Sequence, residues 1–347
     1  MNAPGVDAVI HHPWEAPPGP SDVIEIAEGL LWARLPLPMR LDHVNIYALD
    51  DGDGWTLIDT GLDWAKGRAQ IAGLLSGPLN GKPVHRVLMT HAHPDHIGLV
   101  GWFAAHDAEV VASRSAWLMG RMMVLDRHDT HPPQNISFRQ RAGISGEDLQ
   151  TYAEETPFNF ADCVTPIPVG FIRLRDGDFF DAGGRRWTVR TGEGHAIEHI
   201  TLWSDDVLIA GDQVLPGISP NIGVYPTEPD ADPLAGWLET CRRFDGLAMD
   251  QLVLPGHKLP FRGLKFRLGQ LIENHVQALD RIDAALADGP MTALQMMPAI
   301  FRRSIEESQV GLALVEAVAH ANHLLHAGRA KRRLNAQGAW EYRRSER

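Results

Sequence analysis

Hydrophobic positions along the chain follow two rhythms. Up to about residue 260, short apolar or alternating runs at 23–26, 30–35, 43–49 and 55–59 predict strands separated by Gly-, Pro- and Asp-rich turns. Ile71, Leu74 and Leu75 have helical spacing and predict a helix over 64–75. A strand over 84–90, a helix over 97–106 and a strand over 109–112 come next. Alternation of this kind indicates a layered α/β domain. The stretch 115–166 breaks it, with helical pieces near 138–142 and 146–155, and reads as an insertion. Strands resume at 171–174, 186–191, 201–203, 207–210 and 251–255.

Beyond Gly263 the period becomes helical. Leu264, Leu268, Leu271, Ile272, Val276, Leu279, Ile282 and Leu286 share one face of a long helix, which Gly289-Pro290 ends. Thr292 and Gln295 form a capping-box pattern that opens a second helix. A third covers 308–327, and the segments 331–334 and 339–343 read as a hairpin around Asn335 to Gly338. Three helices and a hairpin predict a small winged-helix-like module over 263–347. It succeeds a catalytic domain over 21–262 and a Pro-rich arm over 1–20.

Composition adds a charge split. The chain is 44% hydrophobic and 22% charged, ordinary globular material, with a formal charge of −12. Arg329 to Arg347 carry a local +5, which leaves −17 for the rest. So acidic a body repels a polyanion over long range, which disfavours nucleic acid as a partner without eliminating it. Cys163 and Cys241 are too few for a disulfide framework and suit a reducing compartment. The first twenty residues hold five prolines and no apolar core of a secretory leader, and no apolar run reaches the roughly 20 residues of a membrane span. The expectation is a soluble, cytoplasmic protein without a membrane partner.

Chemistry concentrates after the strand at 84–90, in Thr90-His91-Ala92-His93-Pro94-Asp95-His96-Ile97-Gly98. Three histidines and a carboxylate within six residues combine nitrogen and oxygen donors, a set that suits zinc or a similar divalent ion. In an alternating loop His91 and His93 point one way, and Asp95 and His96 can face a second position. The competing reading, a surface histidine cluster, fits poorly with so tight a spacing after an apolar strand.

This H-x-H-x-D-H segment resembles the signature of the metallo-β-lactamase-fold hydrolases. Leu57-Ile58-Asp59-Thr60-Gly61 resembles the family's D-T-G element, and Gly194-His195 the element that supplies a further histidine. Ala210-Gly211-Asp212 resembles the G-D element, and Leu254-Pro255-Gly256-His257 the P-G-H element, all in the family's order over roughly residues 20 to 262. The resemblance implies a four-layer αββα sandwich and two divalent metal ions, zinc first, with iron or manganese as alternatives. It places His91, His93 and His195 on one ion and Asp95, His96 and His257 on the other, with Asp212 shared. Asp95 and Asp212 are thereby catalytic carboxylates, and Asp59 fixes a ligand histidine or the loop that carries it.

The resemblance further implies a hydrolase whose metal-bridging hydroxide attacks a small-molecule thioester or ester, as in glyoxalase II-like members. A hydrolase of this fold with a winged-helix-like tail also resembles the lactamase-B2-like group. That keeps a single-stranded RNA endonuclease as an alternative, beside a lactonase and a persulfide-oxidising enzyme. The basic hairpin could contact phosphates, support a homodimer or cover one side of the pocket. Asn221 and Tyr225, in the loop after Asp212, and Lys258 and Arg262, after His257, are substrate-binding candidates. His199 reads as structural, Met119, Met122 and Met123 as a core face with a substrate wall as the alternative, and His128 and His131 as surface groups that could face the pocket.

Overall fold

The computed structural model describes residues 9–302 and 304–345. Part of the N-terminal arm (residues 1–8) and the last two residues of the basic end lie outside the described residues. The chain forms two compact units: residues 1–127, 158–220 and 247–267 make the first, and 128–157, 221–246 and 268–347 the second.

The first unit holds two sheets. One runs in chain order from β1 (Ile24–Ala27) through β2 (Leu30–Pro36), β3 (His43–Asp50), β4 (Trp55–Ile58), β5 (Val84–Leu88) and β6 (Glu109–Ala112) to β7 (Ile172–Arg173). The other is ordered β12 (Leu252–Pro255), β11 (Val207–Gly211), β10 (His199–Trp203), β9 (Arg185–Gly192), β8 (Phe179–Ala182). Period-2 alternation builds the core between them: Leu30, Trp32, Tyr47, Leu49 and Ile58 of one sheet pack with Trp187, Val189, Ile200, Leu202, Ile209 and Leu254 of the other. The opposite face of the first sheet, with Ala33, Leu35, Val44, Ile46 and Leu57, is covered by Ile71 and Leu74 of α1 (Ala65–Ser76), Ile97 of α2 (Pro94–Ile97), and Val100 and Phe103 of α3 (Val100–Ala104). This is the mixed α/β sandwich expected. Trp187 is fully buried and its indole N–H donates to Ala182 O at 3.1 Å. Trp187→Ala is expected to cost about 3–5 kcal/mol of stability, read as a lowered denaturant midpoint.

One detail adds to the reading of the pattern and one differs from it. Trp14 of the arm packs edge-on against Trp32 (centroids 6.2 Å), and His11 pairs with Arg262, because a large apolar ring gains more from burial than the short segment loses in freedom. The methionines lie on α4 (Arg114–Leu125), but its buried residues are Ala116, Gly120 and Val124, and Met122 is exposed. Small residues face inward because the helix approaches closely: a Cβ on Gly120 would sit 2.9 Å from Ile97 Cδ1. The methionines are therefore not the core face.

The second unit contains α5 (Pro133–Ala142), α6 (Gly146–Glu154), α7 (Pro233–Asp245), most of α8 (Leu264–Ala285), α9 (Ala293–Ile300), α10 (Val310–His326) and the hairpin β13 (Ala330–Leu334)–β14 (Trp340–Arg344). The Thr292–Gln295 capping box forms as expected. Helix α10 is buried over most of its circumference and packs against α7, α9 and β13.

Candidate metal centre

Within each sheet of the first unit, the strands that matter run the same way. Strands β4 and β5 are parallel, as are β11 and β12, and β9 is antiparallel to β10, which is antiparallel to β11. The carboxyl ends of β4, β5, β9, β11 and β12 each lead into one element: Asp59, the segment 90–98, His195, Asp212 and His257. Side chains far apart in sequence meet there for that topological reason.

Close backbone approach fixes the loops. Thr60 donates its N–H (2.8 Å) and its hydroxyl (3.1 Å) to His96 O. A Cβ on Gly98 would collide with the Gly61 and Asp63 backbone, so the D-T-G loop packs on the histidine segment only with glycine there. A Cβ on Gly256 would collide with Asp212 Oδ1 and sit 2.8 Å from His96 Cε1. Gly256→Ala is therefore expected to displace Asp212 and lower metal content and activity together, with a much smaller change in unfolding midpoint, as metal analysis beside a denaturation curve would read.

Hydrogen bonds set the histidine tautomers. His96 Nδ1–H donates to Asp59 Oδ2 (2.7 Å), which turns its Nε2 toward Asp212 Oδ1 (3.5 Å) and Asp95 Oδ2 (3.6 Å). His257 Nδ1–H donates to His43 O (2.6 Å), leaving its Nε2 3.2 Å from Asp212 Oδ2 and 3.4 Å from Asp95 Oδ2. Thr90 donates its hydroxyl to Asp59 Oδ2 (2.8 Å), so its oxygen can only accept from His91 Nδ1–H (2.9 Å). His91 Nε2 is then the ring's acceptor, hydrogen-bonded to His93 Nδ1 at 2.9 Å. His195 Nε2 lies 3.7 Å from Asp212 Oδ2.

Three overlapping groups result, each with its donor atoms within 4.8 Å of one another: His91–His93–His195, His91–His96–Asp212 and Asp95–His96–His257. Buried His96 Nε2 and Asp212 Oδ1 make no hydrogen bond. Bare lone pairs and carboxylates converging in a buried site fit divalent metal ions. Burial opposes charge on Asp95 and Asp212, but His96 and His257 outweigh it and hold both carboxyls below the usual range. Burial lowers His257 as well, yet Asp212 and Asp95 lift it to about 10. Burial leaves His93 neutral, at about 3.

His199 is fully buried, stacks on His91 at 4.5 Å and accepts the Asp212 backbone N–H at 3.1 Å; it positions that carboxylate. Sequence reasoning missed the support from β3. His43 Nε2 accepts the Lys258 N–H, Asn45 donates to Pro255 O and Lys258 O, and Tyr47 donates to Pro255 O, each at 2.8–2.9 Å. These hold the P-G-H loop, including Lys258 at a left-handed φ of 71°. A signal existed: three polar-tipped residues on one face of an otherwise apolar strand.

Of the substrate-binding candidates, Lys258 serves through its backbone, and Arg262 is engaged by Asp250 through the backbone oxygen and the carboxylate. Asn221 and Tyr225 belong to the second unit, where the Asn221 amide donates to Leu312 O (3.1 Å) and Glu316 Oε2 (2.9 Å). His131 stacks on Tyr152 in that unit.

With the five elements and their geometry in view, comparison with known proteins is decisive. Residues 39–283 match the sequence model of the metallo-beta-lactamase superfamily. The chain belongs to that superfamily. Residues 279–345 of this superfamily member also match the metallo-beta-lactamase-like C-terminal domain. A beta-lactamase domain protein from Burkholderia ambifaria is similar over 97% of both chains, at 36% identity and a TM-score of 0.87. A metallo-beta-lactamase family protein from Thermus thermophilus shares 26% identity at a TM-score of 0.77, over 92% of this chain and 100% of that one. The probable metallo-hydrolase YqjP of Bacillus subtilis is 25% identical over 305 residues, 86% of this chain and 92% of its own. The chain is thus a member of this superfamily that carries His/Asp groups fit to hold metal. Among the described residues, no helix is long and apolar enough to cross a membrane.

Proposed function

We propose that this superfamily member is a binuclear metal-dependent hydrolase of small-molecule thioester or ester bonds. The observation that carries the reading is Asp212, whose Oδ2 lies near His195 and His257 while Oδ1 lies near His96. One carboxylate thereby touches both groups of donors. His91, His93 and His195 would hold one ion and Asp95, His96 and His257 the other, with Asp212 serving both. Zinc, which the imidazole–carboxylate set suits best, supplies an acidified water and a Lewis acid for the carbonyl.

The chain's own residues do the rest. Asp59 and His43 O keep protons on the Nδ1 atoms of His96 and His257, so that each Nε2 remains a donor. His199 and the glycine at 256 fix where Asp212 points. With every imidazole of the cluster assigned to ligation, none of them is left to protonate a leaving group. A thiolate, with a thiol pKa of about 8.5, departs without that proton more readily than an alkoxide or amine. This favours a thioester.

The second unit supports a small substrate over RNA. The cations of its hairpin are largely spent: Arg332 on Asp230 (2.7 Å), Arg344 on Asp283 (2.9 Å), Arg333 on Glu341 (3.4 Å), and nearby Arg329 on Asp280 (3.1 Å). A cytoplasmic setting suits Cys163 and Cys241, which form no disulfide. The test is a panel of acyl-glutathione and acyl-CoA thioesters, simple esters, lactones and single-stranded RNA, assayed on one zinc-loaded preparation. Thiol release as the dominant activity is expected. RNA cleavage that weakens steeply with salt, with thioesters untouched, would replace this reading.

A further inference from the structure

We propose that His275, Glu316 and His320 form a separate transition-metal site inside the second unit, taking one divalent ion of the zinc class. Glu316 and His320 stand one helical turn apart on α10 and so share a face; His275 comes from α8. One donor atom from each lies within 4.8 Å of the other two. His275 is 3% exposed and His320 0%.

The convergence of three donor atoms and their spacing fit a cation. His320 Nδ1–H donates to Glu316 O at 2.8 Å, so its Nε2 carries a lone pair. That atom lies 3.2 Å from His275 Nδ1. Two imidazole nitrogens bound tetrahedrally at about 2.0–2.1 Å from one zinc stand about 3.3–3.4 Å apart, close to the spacing observed. His275 Nε2 is buried and has no hydrogen-bond partner whichever ring nitrogen holds the proton, so hydrogen bonding alone leaves this pair incomplete. Burial pushes His275 down to about 3 and His320 to about 4, so both rings are neutral ligands at physiological pH. Glu316 supplies the anionic oxygen, and the Asn221 amide orients it from 2.9 Å, as outer partners orient ligating carboxylates. An ion there would tie α8 to α10 within the unit. None of the three residues takes part in the cluster of the first unit.

The test is metal content. The full chain is stripped of metal, reloaded with zinc, desalted and measured by elemental analysis. His275→Gln and His320→Gln are each expected to hold one zinc fewer per chain than the unaltered protein, with unchanged far-ultraviolet circular dichroism. Equal metal content in all three overturns the site. Should the single variants lose structure, the triple variant His91→Ala/Asp212→Ala/His257→Ala, which leaves the second unit intact, is titrated with cobalt. Visible absorption saturating at one cobalt per chain is expected; absorption no different from free cobalt overturns the proposal.

Discussion

Asp212→Ala is expected to lower kcat/KM on the preferred substrate by at least about 10³-fold, since even partners outside the ligand set are worth roughly 10–100-fold. The side chain faces His96, His195 and His257 from its two oxygens, so its loss weakens both groups of donors at once. Stability should fall along with activity, because the buried pairing of Asp212 with His96 and His257 is lost together with metal. Asp212 is buried, and its neighbours His96 and His257 are held well above the ordinary histidine range by the carboxylates they face. Removing one carboxylate makes those protons easier to lose and leaves a less charged, metal-poor site. Elemental analysis, kinetics and a melting curve on one preparation separate the effects. A variant that retains its metal and most of its turnover would exclude Asp212 from the chemistry.

Asp59→Asn is expected to lower metal affinity by about 10–100-fold with the fold preserved. Asp59 accepts three hydrogen bonds, from Thr90 N (2.9 Å), Thr90 Oγ1 (2.8 Å) and His96 Nδ1 (2.7 Å). An asparagine of the same shape keeps the acceptor for the Thr90 amide but presents an N–H to His96. The imidazole must then move its proton to Nε2, the atom that faces Asp95 and Asp212, and a protonated nitrogen cannot ligate. Asp59 also holds a left-handed φ of 62°, which asparagine tolerates well, so backbone strain does not confound the comparison. Chelator competition reads the affinity, and an unchanged value would show that Asp59 does not fix the tautomer. Glutamate, one methylene longer, should restore little, because the three donors are arranged around a short side chain.

Most of the His/Asp cluster is legible in the sequence because its residues sit where strands stop. Five strand-like runs lead into His or Asp in one order, and three of them place a glycine directly before it (Gly194, Gly211 and Gly256). What alternation could not reveal is the far side of the same interactions. His43, Asn45 and Tyr47 lie on a single strand with no ligand motif, and their role depends on β3 passing beside the loop after β12. Helix α7 escaped the reading although Asp232 caps it and Pro233 occupies its first position, because its run of apolar residues is short and comes after an acidic loop. Buried histidines away from the cluster carried no sequence signal at all. His275 and His320 are separated by 45 residues and meet only when α8 packs on α10. Proximity to ligands in sequence is no guarantee of availability: Arg262 follows His257 closely yet is engaged by Asp250.

On the proposal made above, the His/Asp cluster of the first unit makes this chain a metal-dependent hydrolase of thioester or ester bonds. Thiol release from an acyl-thioester, monitored before chelation, after chelation and after zinc is returned, tests it most directly. The expected result is steady turnover that chelation abolishes, zinc restores, and His275→Gln leaves unaffected. Turnover that survives complete removal of metal, or a zinc-loaded protein that hydrolyses no thioester or ester in the panel, would contradict it.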